Sequence, residues 1–224
     1  MPEVIYPSTN DGYQMSGLNV SWDACHDSVG LSNPDINNTT DATNGVRYEY
    51  VTGRGGVEFF LVRSFFDFDT SAIDIKPSAA SFYFTSYSNA AATPCIIAKS
   101  GHDPSTATDD WFSTWLTDQD PSITLSGWDE NDVTAYSEST ALASAGSTTS
   151  FTLLDAGLDD MRDLDLFKIC LLHTNDYNDT APTSGTLRTG MYWVEYGGVT
   201  RPQIAYTPGV TVATHNATLF GTNF

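Results

Sequence analysis

Basic side chains are scarce in this chain. Nine Lys and Arg stand against twenty-eight Asp and Glu, a formal charge of −19 over 224 residues. Nucleic acid and anionic membranes are held by clustered cations that displace counterions, and the nine basic residues form no such cluster, so neither is an expected partner. The acidity itself is first a solubility property. The three cysteines, Cys25, Cys95 and Cys170, share no short spacing and make neither a disulfide framework nor a zinc pattern. They are expected to be free thilos of a chain folded in a reducing compartment, with Cys95 and Cys170 packing as small hydrophobes. No apolar run approaches the roughly 20 residues that span a bilayer. The first eight residues carry neither the basic nor the apolar region of a secretory signal. His26, His102, His173 and His215 are scattered and adjoin no GxSxG or HExxH pattern. Gly53-Arg54-Gly55-Gly56 lacks the Lys-Ser/Thr of a phosphate loop and precedes a strand, so it reads as a hairpin turn.

What is present is aromatic and strand-forming. Gly56 to Ile73 contains the continuous apolar run Phe59-Phe60-Leu61-Val62, after which Phe66 and Phe68 alternate with Asp67 and Asp69. Side chains of a strand point to opposite faces in turn, so this segment is expected to be a central strand, covered on both sides and then emerging with one wet face. Further candidates are 4–6, 13–20, 46–51, 81–87, 95–99, 150–154, 166–173, 189–196 and 203–206. Alternation places Phe82 with Phe84, and Phe167 with Ile169 and Leu171, while Lys168, Cys170 and Leu172 take the opposite face. Phe66, Phe68, Phe82, Phe84, Ile169 and Leu171 are therefore expected to be buried together. One helix is indicated, Gly157 to Leu164, with Leu158, Met161 and Leu164 at helical spacing and Asp155 as its cap. Cys25 to Gly45 and Ser100 to Gly127 read as long polar loops. Many short strands and little helix define the expected fold class, a single all-β jelly-roll β-sandwich with one short helix and long polar loops. It spans residues 1–207, and 208–224 form a C-terminal tail.

Several blocks resemble the DNRLRE-type domains related to carbohydrate-binding modules, which occur in bacterial surface proteins and phage proteins. Asp11-Gly12-Tyr13 is similar to an early strand of that family. The likeness is sharpest over Arg63-Ser64-Phe65-Phe66-Asp67-Phe68-Asp69-Thr70-Ser71-Ala72-Ile73. It continues at Ser78 to Phe84, Phe167 to Leu172, Asp176-Tyr177-Asn178-Asp179 and Arg201 to Tyr206. The resemblance covers most of one domain and implies a jelly roll; its motifs are strand and turn signatures that carry little about activity.

Paired acids such as Asp109 and Asp110, Asp129 and Glu130, or Asp159 and Asp160 sit in polar surroundings and read as solvated rather than as the carboxyl pair of a glycosidase. No catalytic residue is assigned. Trp111, Trp115 and Trp128 have two readings: rings that stack on sugars, or, for Trp111 and Trp115 with Phe112 and Leu116, an amphipathic turn that plugs the sandwich. Calcium is the inorganic ligand best suited to this chain, with Asp176, Asn178 and Asp179 supplying oxygens, as Asp118 and Asp120 also do. Val210, Val212, Leu219 and Phe220 make the tail, which has no Asp, Glu, Lys or Arg, a candidate docking segment. The function expected first is that of a non-enzymatic virion structural protein of a phage, on the capsid or in the tail. It would be assembled in the host cytoplasm with other virion proteins and copies of itself. A carbohydrate-binding module or adhesin acting outside the cell on surface glycan is the alternative, and a polysaccharide-degrading enzyme a third.

Overall fold

The computed structural model of the chain describes residues 1–8, 11–19, 21–27, 35–36, 40–53, 56–89, 93–101 and 128–210. Within them the chain is an all-β sandwich. Its twelve strands are β1 Glu3–Ile5, β2 Gly12–Asn19, β3 Asp35–Ile36, β4 Thr40–Gly53, β5 Gly56–Asp69, β6 Ala79–Asn89, β7 Pro94–Lys99, β8 Thr140–Ala141, β9 Thr148–Thr152, β10 Leu166–His173, β11 Thr186–Tyr192 and β12 Gln203–Thr207. Three short helices accompany them: α1 Trp22–His26, α2 Asp155–Asp163 and α3 Thr174–Tyr177. The ladders between these strands are antiparallel.

One layer runs β1-β12-β6-β9. The other is centred on β5, with β2 along one edge and β4 followed by β10 along the other. Beyond β4 lies β11, and beyond β10 lie β7 and β8. β6 belongs to both layers: Ala79 to Thr85 pair within the first, and Ser86 to Asn89 lie against β11. The expected hairpin closes β4 onto β5, with Gly53 opposite Gly56. Gly56 has a φ of 121°, a conformation open to glycine and costly for other residues.

Phe66, Phe68, Phe82, Phe84, Ile169 and Leu171 are all buried and lie in one cluster between the layers. The Phe66 and Phe82 rings pack 5.3 Å apart across it. Full burial of each such side chain is worth roughly 1.5–3 kcal/mol, so this interface is the main source of the sandwich's stability. The opposite face of β5 is covered as well. Phe59 and Leu61 pack with Trp22 and Cys25 of α1, and Phe65 packs with Cys170, Leu172, Trp128 and Tyr177. The wet face expected after Val62 is thus confined to Asp69: Asp67 is buried and accepts a hydrogen bond from the Ser8 hydroxyl.

Other boundaries shift for local reasons. The expected 25–45 loop is shortened from both ends, because Cys25 belongs to α1 and β4 begins at Thr40. The strand expected through Tyr196 stops at Tyr192 and gives way to a 3₁₀ turn at Val194–Tyr196. α2 begins at Asp155, which is its first helical residue; Leu154 occupies the cap without a side-chain bond. A carboxylate in the first turn still faces the positive end of the helix. The three cysteines are buried and unpaired with one another. The chain also stays on the sandwich beyond residue 207. Thr207 accepts a backbone bond from Ser78, and a Cβ at Gly209 would collide with the Lys76 carbonyl oxygen and the Ile75 side chain. Val210 then turns outward, 83% exposed. Val212, Leu219 and Phe220 lie outside the described residues.

Candidate functional site

The densest gathering of chemistry-bearing side chains is a polar layer pressed against β5. Its origin is geometric. β4 pairs with β5 as far as Val62, and β10 takes over that edge at Ser64. Arg63 stands at the changeover, on the same face as Phe59, Leu61 and Phe65 by strand alternation, and is fully buried. A guanidinium so placed must find an anion, because desolvating an unpaired charge is prohibitive. Asp176 of α3 provides it in bidentate form: Nε donates to Oδ2 at 2.8 Å and Nη2 to Oδ1 at 2.7 Å.

Aromatic rings and a histidine enclose this pair. The Arg63 guanidinium carbon lies 4.8 Å from the centre of the Trp128 ring, within cation–π range. Trp128 stacks on His26 at 4.2 Å, and His26 stacks on Trp22 at 5.1 Å. His26 Nδ1 is 2.7 Å from Asp27 Oδ1, and its Nε2 is 3.0 Å from the Asp176 carbonyl oxygen. Trp22 donates from Nε1 to Asp179 Oδ1 at 2.6 Å. Asp179 reaches it from a left-handed backbone position, φ 46°, which Asp tolerates better than most residues. The layer thereby ties α1, α3 and residue 128 to the centre of β5.

A second stack lies beside it, between β4 and the end of β10. The rings of Tyr48 and His173 are parallel, with centres 4.2 Å apart. His173 Nδ1 accepts from the Asn175 amide and so caps α3, while its Nε2 has no hydrogen-bond partner among the described residues. Burial holds the His173 imidazole down, near pKa 4, and pushes the Tyr48 phenol up to about 12.

This geometry corrects two sequence expectations. Trp128 has no exposed face for a sugar; it is 0% exposed, between Arg63 and His26. Trp111 and Trp115 lie outside the described residues. Asp176, Asn178 and Asp179 do not converge on a calcium position. Both oxygens of Asp176 are engaged by Arg63, whose positive charge would repel a cation, the Asp179 carboxylate accepts from Trp22, and Asn178 is exposed. Among the described residues, no group of three or more His, Cys, Asp and Glu is arranged to hold a metal.

Arg63, Asp176 and His26 were not singled out by sequence as a unit. One signal existed: an arginine embedded in a dry strand of a chain with nine basic residues requires a buried acid. The layer is sealed, with Arg63 and His26 at 0% and Asp176 at 1% exposure. Its chemistry is that of a clamp: charge-assisted bonds and stacked rings that fix the covering segments on the sheet. Compared with known protein families and with curated proteins, the chain matches none.

Proposed function

We propose that this chain is a non-enzymatic structural protein of a phage virion, carried on the capsid or in the tail. The observation that carries the reading is how the chain divides its side chains. The charged and aromatic cluster faces inward as a clamp, while the outward layer offers an uncharged sheet surface. After β12, the exposed Val210 opens a stretch, 210–224, without Asp, Glu, Lys or Arg. The resemblance to DNRLRE-type domains points the same way. Partners are then other virion proteins and further copies of the chain.

A carbohydrate-binding or adhesive role is the second reading. Tyr87 and Tyr196, 43% and 52% exposed, flank Tyr192 on the surface and favour it, because aromatic rings can stack on sugars.

The test uses the full chain and a chain ending at Gly209, each expressed in the cells that produce the particles. The full chain is expected to co-purify with particles at fixed stoichiometry. The shortened chain should keep its unfolding temperature and be lost from them. A full chain absent from purified particles would reject the virion reading.

A further inference from the structure

We infer that the outward face of the β1-β12-β6-β9 layer is a contact surface for a second copy of this chain. The inference names a partner for the assembly role proposed above and rests on it. Cross-strand register lays the face out in rows. Val4, Ala205, Ser81 and Thr152 form one row, and Gln203, Tyr83 and Ser150 the next. Between them, Val4, Ser150 and Thr152 are exposed and the others half-buried. These rows contain no charged residue in a chain of net charge −19.

Charge selects the occupant. Two copies of so acidic a chain repel wherever carboxylates meet, and like charges across an interface are strongly unfavourable. A face without carboxylates is where that repulsion is least. A two-fold axis would place the same patch on both sides of the contact. Small side chains such as Ala205, Ser81 and Thr152 let two sheets approach, at about the 10 Å spacing of stacked layers.

Area sets the strength of the contact. Four strands at ~4.8 Å spacing, along the stretch of β6 from Ala79 to Thr85 that pairs within this layer at ~3.3 Å per residue, give a face on the order of 400 Å², the size of a weak, reversible contact. A standard interface buries about 800 Å² per partner.

Sedimentation velocity on the full chain tests this across micromolar to millimolar concentration and from 0.1 M to 1 M salt, conditions that shorten the Debye length from about 10 Å to about 3 Å. Reversible dimerisation that strengthens with salt is expected, since salt screens the general repulsion. Ser150→Asp, and separately Val4→Glu with Thr152→Asp, add charge at exposed positions. Each should weaken association by roughly tenfold or more, the effect of opposed like charges. Thr186→Asp on β11, also exposed, should leave it unchanged. A chain that stays monomeric under all conditions overturns the inference, as do face variants that associate like the parent. A monomer that binds neutral polysaccharide, and loses it with Ser150→Asp, overturns it in favour of a glycan. A chain that is monomeric yet enters particles refutes this contact alone; one that dimerises yet never enters particles refutes the virion reading alone.

Discussion

Arg63 brings a charge into the driest strand of the molecule, and Asp176 makes that tolerable. The net worth of a buried ion pair is small, but breaking one leaves an uncompensated charge. Asp176→Asn should therefore cost about 3–5 kcal/mol in urea unfolding; a loss under about 1 kcal/mol would mean that water reaches the pair. His173 makes a separate prediction. Its folded pKa, about 4, lies below the usual 6.5, so in acid the unfolded chain binds a proton that the folded protein refuses. The stability from keeping this ring neutral is complete above pH 6.5 and falls as pH drops toward 4, by about 3 kcal/mol. His173→Asn keeps a side-chain oxygen able to cap α3 and has no titration in that window. The parent should lose about 3 kcal/mol more than the variant between pH 7 and pH 4, measured by urea unfolding at each pH. Parallel pH profiles would show that the ring is solvated.

At the scale of elements, legibility followed period and length. β5, β6 and β10 were readable because long strands show alternation, and the inter-layer core came with them. β3 and β8 have two residues each, and α1 and α3 have five and four; none is long enough for a period to register. The acid that answers Arg63 was hidden for a different reason. Arg63 and Asp176 are 113 residues apart, and no local pattern links them. Trp128 stands just after a long polar stretch, so its sequence neighbourhood suggested exposure while tertiary packing buried it. Gly209, in the segment read as a tail, comes close to Lys76, and close approach of this kind leaves no mark in hydropathy.

At the scale of the whole molecule, the described residues cover three of the four sheet faces: the two inner faces meet, and α1, α3 and residue 128 close the outer face of the β5 layer. That leaves outward the face of the β6 layer, whose rows carry no charged residue in a chain of charge −19, the surface proposed to meet a second copy. On the proposed reading, the buried polar layer serves the fold and the surface serves assembly. The double variant Arg63→Met, Asp176→Leu tests it most directly, since it replaces both members of the ion pair with apolar side chains. Its incorporation into purified particles, measured beside its unfolding temperature, should match that of the parent chain. A double variant that folds with unchanged stability yet no longer enters particles would contradict the claim and make the polar layer the functional site.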